Sequence, residues 1–301
     1  MHTHPHGESE AQGPILRRLS TAVNLSLVIL AIEVVGAYLS RSLSLSVDAV
    51  HNVPDILAFA VSWHALRSTV RGSYGSHTFG AHRLEVFAGL LNAALILGTG
   101  VAFGVEATLS LLSGGSFAGP VSGFWILVVA APTLGLRSVN MAVLGRLPSR
   151  FKDLNLRSVF LHLSSDVAIT GALLVAGSIL WLHSGWSWVD EAGALAIALI
   201  LVYESLPLMR EGWEVLTERI PRGLSVDAIT KVALEVPGVA ELHDVHVWSV
   251  CSTLICMTAC VGLKDMSLSA STEVTRKLRE RMEKEFGIVH ATFETVCLPP
   301  R

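Results

Sequence analysis

The sequence predicts an all-α membrane bundle of six transmembrane helices followed by a small α+β domain in the cytoplasm. Two observations support this fold class. Hydrophobic residues make up 51% of the 301-residue chain and charged residues only 16%, whereas about 25% of the residues in a typical soluble domain are charged. The charged residues are also unevenly distributed, because they are sparse over 19–216 and ordinary in number over 218–301. This change in composition marks the boundary between a membrane part and a soluble part.

Six apolar segments of the membrane part are long enough to be transmembrane helices, since a helix needs about 20 mostly apolar residues to cross a bilayer. Polar or glycine-containing stretches separate these segments and provide the loops. The segments are 16–39, 44–66, 84–112, 120–145, 156–183 and 187–212. We therefore expect a disordered cytoplasmic tail over 1–15, a six-helix transmembrane domain over 16–215 and a cytoplasmic domain over 216–301.

The orientation of the bundle follows from its arginine and lysine residues. They precede the first segment and flank the loops after the second and fourth segments, whereas the opposite loops contain only Arg41. Because positive residues accumulate on the cytoplasmic side, both termini and the soluble domain are expected in the cytoplasm. The polar start of the chain does not have the pattern of a secretory signal. We expect a multi-pass integral protein in the lipid bilayer of the bacterial inner membrane.

The soluble part predicts the order helix, strand, strand, helix, strand over 225–236, 239–250, 253–263, 269–286 and 288–297. A domain of about 80 residues is close to the size at which one core is marginal, so dimerisation is expected to stabilise it. All four cysteines lie in this part, and in the cytoplasm they are expected to be reduced thiols that can serve as ligands. No basic surface interleaved with aromatic residues is apparent, which argues against nucleic acid as a partner.

Two copies of the pattern H-x-x-x-D lie within apolar segments, His51 with Asp55 in the second and His162 with Asp166 in the fifth. Residues four apart lie on the same face of a helix, one turn from each other. Ionisable residues are costly within the bilayer and indicate function when they occur there. The simpler alternative is that each pair is a hydrogen-bonded couple between helices, but the repetition of the pattern favours a ligand site.

The two pairs together supply two imidazole nitrogens and two carboxylates, a ligand set that zinc accepts in tetrahedral geometry. The two carboxylates also balance the charge of a divalent cation in a medium of low dielectric constant. Asp48 lies on the same helix face about two turns before Asp55; it is interpreted as a residue that orients a ligand or relays protons. Other polar residues of the apolar segments, including Glu33 and Arg137, are interpreted as hydrogen-bond partners between helices.

Five segments carry a shared pattern over nearly the whole chain. They are SLSLSVDAVHNVPD, which ends at Asp55, HTFGAHRLEVFAGLLN, which begins at His77, NLRSVFLHLSSD, which ends at Asp166, VAELHDVHVWSV, which begins at Val239, and GIVHAT, which begins at Gly287. With these segments the chain resembles the cation diffusion facilitators, a family of proton-coupled exporters of zinc, cadmium and cobalt. The resemblance implies a homodimer, a cytoplasmic domain like the ferredoxin-like metallochaperones, and alternating access coupled to inward movement of protons.

The resemblance also implies particular metals and further site residues. Members with histidine at the position of His51 prefer Zn²⁺ as transported substrate, with Cd²⁺ and Co²⁺ as further partners. In the cytoplasmic domain, His243 and His290 match positions at which relatives bind metal between two sheets, and Cys260 stands where histidine is usual. The resemblance therefore implies a structural or regulatory metal site formed by these three residues. The alternative is that these are sheet residues at a dimer contact, with Cys260 a small buried apolar side chain.

A salt bridge between Arg83 and Glu218 is also implied, because these residues match positions at which some relatives join the membrane and soluble domains. The function that follows is secondary active export of divalent cations and not enzymatic catalysis. One alternative is an intramembrane metalloenzyme, which would need an open coordination position and a base, as in H-E-x-x-H; that motif is not in the sequence. The other alternative is a membrane-bound metal sensor or scaffold.

Overall fold

The computed structural model describes residues 9–69, 82–114, 120–145, 154–251 and 254–297. The chain forms two compact units. The first contains the described residues of Met1–Ser73 and Leu91–Leu208, and the second contains those of Tyr74–Leu90 and Met209–Arg301.

Six long helices cover the part of the sequence in which transmembrane segments were expected. They are α1 (Ser9–Ser40), α2 (Leu43–Thr69), α3 (His82–Ser113), α4 (Gly123–Gly145), α5 (Leu154–Leu182) and α6 (Trp188–Leu216). Helix α1 begins at Ser9 rather than near 16, so residues 9–15 of the predicted tail belong to this helix. Residues 1–8 of that tail lie outside the described part.

Within the described residues, five helices are long and apolar enough to cross a membrane, namely α1, α3, α4, α5 and α6. Helix α2 is also long, at 27 residues. Its mean hydropathy is lower because Asp48, His51, Asn52 and Asp55 lie within about two turns of one another. The structure therefore confirms a helical membrane bundle, while the count of six spans stays a prediction.

The helices of the first unit approach closely where they carry glycine. A Cβ atom at Gly36 of α1 would lie 2.3 Å from Val129 Cγ2 of α4, and one at Gly123 of α4 would lie 2.6 Å from the carbonyl oxygen of Gly177 in α5. Small residues allow this proximity between membrane helices. As a result, α4 packs directly on both α1 and α5, and α1 packs on α2.

The start of α2 is held by a carboxylate from another helix. Asp190, which is fully buried in the first turn of α6, accepts hydrogen bonds from Ser42 Oγ at 2.6 Å and from the Leu43 backbone N–H at 2.6 Å. The Ser44 hydroxyl donates to the same carboxylate. Because the first N–H groups of a helix lack partners inside it, Asp190 caps α2 and fixes the position of its first turn.

The second unit contains a C-terminal α+β domain with the predicted order of elements. Its elements are α7 (Val226–Leu234), β1 (Val239–Cys251), β2 (Leu254–Leu263), α8 (Leu268–Phe286) and β3 (Ile288–Cys297). Central β2 pairs antiparallel with β1 and parallel with β3. Ser225 and Ser267 cap the starts of the helices, and Gly287, at a φ of 67°, ends α8. Buried residues from both helices and all three strands form one core, which includes Ile229, Val247, Met257, Leu278 and Ile288.

Candidate metal centre

Two of the four predicted membrane ligands meet between α2 and α5. His51 Nε2 lies 3.5 Å from Asp166 Oδ1, and only 1% and 9% of the two side chains are exposed. The sequence predicted that the two helices would face each other through four residues, and these two of the four lie side by side. A buried imidazole nitrogen next to a carboxylate oxygen provides two ligands of the types that Zn²⁺ binds in proteins.

The other two predicted ligands are known only by their place in the helices. Asp55 lies in α2 and His162 in α5, each four residues from the ligand on the same helix, but their side chains lie outside the described residues. Among the side chains that the structure describes, no group of three or more His, Cys, Asp and Glu residues has the geometry of a metal site. The complete set of four ligands therefore stays a prediction.

A buried network of charges lies beside the His51–Asp166 pair. Arg137 of α4 donates from Nη2 to Glu33 Oε1 of α1 at 2.9 Å and to Asp48 Oδ1 of α2 at 3.0 Å. All three residues are at most 4% exposed. The second oxygen of Glu33 accepts a hydrogen bond from the Asn52 side chain. Glu33 and Arg137 are therefore hydrogen-bond partners between helices, as expected, but the sequence did not show that they meet Asp48.

The other nitrogen of the Arg137 guanidinium reaches the helix that carries Asp166. Arg137 Nη1 donates to the backbone carbonyl of Asp166 at 3.0 Å and to Thr170 Oγ1 at 2.6 Å. Thr170 Oγ1 also donates to the same carbonyl at 2.9 Å. Opposite charges in two apolar segments could have predicted that Glu33 and Arg137 pair. The contact to α5 has no such signal, because its acceptors are a backbone carbonyl and an uncharged hydroxyl.

Arg83 and Glu218 lie in contact, as their positions predicted. Arg83 Nη2 is 2.9 Å from Glu218 Oε1, and the side chains are 55% and 58% exposed. Both residues belong to the second unit. Nearby in sequence, Glu214 accepts from Arg210, Arg219 and Arg222 at 2.9–3.2 Å.

The three residues predicted to bind metal in the C-terminal domain do not all come together within one subunit. His243 on β1 lies opposite Cys260 on β2, but His290 on β3 lies opposite Cys256 instead. Glu294 occupies the β3 position beside Cys260, and its Oε2 accepts from the Cys260 thiol at 3.5 Å. His290 is four residues away along β3, about 13 Å at the rise of a strand. The register of the parallel pair β2–β3, which sequence reasoning does not define, separates them.

Cys260 is therefore in an acidic environment that sequence reasoning missed. Partial burial, and then the hydrogen bond to Glu294, raises the pKa of the Cys260 thiol. A carboxylate beside a thiol disfavours the thiolate, because the two negative charges repel each other. Since metals bind the thiolate, a cation at Cys260 must displace a proton.

The fold defines a class of protein, a multi-pass helical membrane protein, in which a buried histidine–aspartate pair lies between two of the helices. The comparisons place the chain within one family of that class. Residues 19–217 match the cation efflux transmembrane domain, and residues 221–294 match the cytoplasmic domain of cation efflux proteins. The chain belongs to the cation efflux family, whose members are metal cation transporters and not enzymes.

Three relatives illustrate the family. The chain is 30% identical over 298 residues to the metal cation efflux system protein CzcD of Cupriavidus metallidurans, which covers 99% of this chain and 90% of CzcD. It is 31% identical over 304 residues to the zinc transporter ZitB of Pectobacterium atrosepticum, covering 97% and 88%. It is 27% identical over 268 residues to the cadmium, cobalt and zinc/H(+)-K(+) antiporter of Bacillus subtilis, covering 87% and 83%. The similarity therefore extends over both the membrane bundle and the C-terminal domain.

Proposed function

We propose that this protein exports Zn²⁺ from the cytoplasm in exchange for protons, and that His51, Asp55, His162 and Asp166 bind the ion during transport. The observation that carries the proposal is the contact between His51 and Asp166. These side chains belong to two membrane helices, are buried, and lie 3.5 Å apart. His51 and Asp166 supply one nitrogen and one oxygen. Asp55 of α2 and His162 of α5 would add one oxygen and one nitrogen from the same two helices.

The choice of ligands links metal binding to protons. Imidazole binds a metal only through a neutral nitrogen, so Zn²⁺ and H⁺ compete for His51 and His162. When the site opens to the cytoplasm, Zn²⁺ displaces protons from these histidines. When it opens to the other side, protons return to the histidines and release the ion. A site near the middle of the membrane that opens alternately to the two sides is the usual arrangement in secondary transporters.

The nature of the substrate is supported by the relatives and by the ligand types. The relatives are named as transporters of zinc, or of cadmium, cobalt and zinc, and one is named as an H(+)-K(+) antiporter. Two nitrogens and two oxygens suit Zn²⁺ better than they suit Mg²⁺ or Ca²⁺, which prefer oxygen alone. Among the metals of the family, Zn²⁺ is proposed as the preferred substrate because position 51 is a histidine, and Cd²⁺ and Co²⁺ are proposed as further ones.

The same proposal includes the topology and assembly. Helix α2 has 27 residues, a length of about 40 Å, which is enough to cross the bilayer as the sixth span. We place both termini in the cytoplasm and the protein in a bacterial inner membrane. We also propose a homodimer. The C-terminal domain, which matches the cytoplasmic domain of cation efflux proteins, is so small that its single core is marginal, and contact with a second copy would stabilise it. In a dimer, His290 of one subunit could join His243 and Cys260 of the other around a regulatory metal.

Two residue roles outside the ligand set belong to this proposal. Asp48 is fully buried, and its Oδ2 has no hydrogen-bond partner among the described residues. This oxygen is available to receive a proton, which supports a relay function for Asp48. The ion pair of Arg83 in α3 with Glu218, which follows α6, is proposed as a hinge that joins the membrane and soluble domains.

Flux measurements on the purified protein test the proposal directly. The protein is reconstituted in liposomes that contain a fluorescent zinc indicator, and a pH gradient is imposed across the membrane. We expect Zn²⁺ uptake to increase with the gradient. Cd²⁺ and Co²⁺ are expected to compete with Zn²⁺ for uptake, and Mg²⁺ is not. Zinc flux that is independent of the gradient would show that the proton coupling is wrong. No flux of any of these metals would show that the protein is a sensor or scaffold and not a transporter.

A further inference from the structure

Arg137 is a buried cation whose contacts extend over three neighbouring helices of the first unit. It is 4% exposed, and it donates to Glu33 on α1, Asp48 on α2, and both Asp166 and Thr170 on α5. A positive charge next to a site for a divalent cation opposes binding unless it is compensated. Its presence there therefore requires an explanation beyond the stability of the bundle.

The geometry of the guanidinium group divides these contacts into two directions. Nη1 donates only towards α5, at 3.0 Å and 2.6 Å, and Nη2 donates towards α1 and α2, at 2.9 Å and 3.0 Å. Guanidinium is planar and its donors have fixed relative directions, unlike the single ammonium group of lysine. Arg137 can therefore define the distance between the groups that it joins.

The groups that Arg137 joins belong to the helix turns that carry the metal ligands. On α5 the acceptor is the backbone carbonyl of Asp166 itself. On α2 the acceptor is Asp48, which lies one turn before His51 and on the same side of the helix. A single residue of α4 thus connects the two turns whose side chains meet at 3.5 Å.

Two carboxylates compensate the charge of Arg137. The cluster of Glu33, Asp48 and Arg137 has a net charge of −1 when both carboxyl groups are ionised and of 0 when one of them is protonated. Glu33 is held in turn by Asn52, the residue next to His51. The cluster can therefore position the ligands without opposing the approach of a cation.

We propose that Arg137 is a positioning residue for metal binding, which holds the Asp166 turn of α5 and the His51 turn of α2 at the separation at which both side chains bind one cation. The inference rests on the proposed function, since it concerns the same site. If Arg137 served only the stability of the bundle, its replacement would reduce the amount of folded protein without changing the affinity of the protein that remains folded.

The test is zinc binding to the full-length protein in detergent, measured by isothermal titration calorimetry. The transport site is defined as the Zn²⁺ binding that Asp166→Ala removes. We expect Arg137→Lys, which keeps the charge but cannot donate in both directions, to weaken this binding about tenfold or more. The absorption spectrum of bound Co²⁺ is expected to lose intensity at the same time, because tetrahedral coordination absorbs much more strongly than higher coordination.

A second pair of variants keeps the test informative if Arg137→Lys does not fold. Thr170→Val removes one contact of Arg137 on α5, and we expect it to weaken Zn²⁺ binding about threefold. Thr133→Val is the matched control. Thr133 is also buried, but among the described residues its hydroxyl bonds only to carbonyls of its own helix, at 2.9 Å and 3.2 Å. Its affinity for Zn²⁺ is expected to stay within about twofold of wild type.

The possible outcomes separate this inference from the proposed function. If folded Arg137→Lys or Thr170→Val binds Zn²⁺ as wild type does, or if Thr133→Val weakens binding as much as Thr170→Val, the inference is wrong while zinc transport is unaffected. If wild type has no Zn²⁺ binding that depends on Asp166, both are wrong. If wild type binds Zn²⁺ at this site but reconstituted protein does not transport it, only the proposed transport function is wrong.

Discussion

The two units each contain a histidine beside an aspartate, and the comparison of these pairs separates structure from function. In the first unit, His51 lies 3.5 Å from Asp166 with the side chains 1% and 9% exposed. In the second, His246 lies 3.0 Å from Asp244 with the side chains 66% and 68% exposed. The exposed pair is solvated and adds little to stability. The buried pair is largely shielded from solvent, so interactions with a protein group, a proton or a metal ion are expected to replace those with bulk water.

Arg276 of the second unit and Arg137 of the first unit also differ in burial. Arg276 of α8 is half exposed and pairs with Glu273 and Glu280 of its own helix. Arg137 is buried and pairs with carboxylates of two other helices. Removal of one partner from a buried pair leaves an uncompensated charge, whereas an exposed partner is simply hydrated. The loss of one partner is therefore expected to cost more stability at Arg137 than at Arg276.

The largest expected effect comes from the two aspartates of the compared pairs. Asp166→Asn should reduce zinc transport by about a hundredfold or more, because it removes a ligand charge from a site without water. Asp244→Asn should leave transport within about twofold of wild type. Zinc flux into proteoliposomes measures both variants. Equal losses of transport in the two variants would contradict the distinction between the pairs. Normal transport by Asp166→Asn would show that Asp166 is not a ligand of the transport site.

The next effect concerns the stability that the two arginines provide. Arg137→Gln should lower the melting temperature of the detergent-solubilised protein by about 5–10 °C, because Glu33 and Asp48 lose their buried partner. Arg276→Gln should shift it by no more than about 1 °C. Thermal unfolding, followed by size-exclusion chromatography after heating, provides the measurement. If Arg276→Gln lowered the melting temperature more than Arg137→Gln does, the exposed arginine would contribute more stability than the buried one, contrary to this expectation.

A smaller effect is expected at the C-terminal domain when the membrane site is disabled. In an Asp166→Ala background, the remaining Zn²⁺ binding should weaken about tenfold on Cys260→Ala, since the thiolate is the softest ligand of the proposed set. Ser249→Ala, a change on β1 away from this group, serves as the control. Titration calorimetry with Zn²⁺ distinguishes the variants. Unchanged Zn²⁺ binding by Cys260→Ala would show that Cys260 is not a metal ligand and is only a half-buried residue of the sheet.

The same background tests whether the regulatory metal lies between subunits. His290→Ala should weaken the remaining Zn²⁺ binding only in the dimer, because His290 lies opposite Cys256 and not Cys260 within one subunit. Calorimetry at protein concentrations above and below the dimerisation midpoint makes the measurement. Equal weakening at both concentrations would place His290 in a site within one subunit.

The smallest effect is the pH dependence of an exposed pair on α8. The hydrogen bond from Arg276 lowers the pKa of Glu273 from 4.5 to about 2. Because the folded-state pKa is lower than the unfolded one, the stabilisation by Glu273 is present above pH 4.5 and is lost as the pH falls towards 2. Glu273→Gln should therefore lower the melting temperature slightly at pH 7, by less than about 2 °C, and by progressively less as the pH falls through 2. A difference that grows with acidity would contradict the lowered pKa.

Much of the fold could be predicted because it depends on local pattern. Long apolar segments predicted the helices, and turn residues such as Gly287 predicted the ends of the C-terminal elements closely. The pairs His51–Asp55 and His162–Asp166 were identifiable because helical spacing places both members on one face. Helix α1 began earlier than predicted, since apolar composition does not mark where a polar helix start lies.

The contacts of the candidate site could be predicted only in part. The sequence indicated that Glu33 and Arg137 would bond between helices, but it did not indicate that Arg137 also reaches Asp48 and the Asp166 carbonyl. In the C-terminal domain the resemblance implied a metal site of His243, Cys260 and His290, but it did not indicate that the β3 neighbour of Cys260 is Glu294. These contacts depend on helix rotation and strand register, which no local pattern specifies.

The sequence by itself determined the membrane bundle, the order of the C-terminal elements and the two faces that carry histidine and aspartate. These properties follow from composition and from periods of a few residues, and a helix or strand expresses them regardless of its neighbours. Only the tertiary structure decided that His51 meets Asp166, that Arg137 connects their helices, and that Glu294 lies beside Cys260. Such contacts join residues far apart in the chain, and close packing between elements selects them.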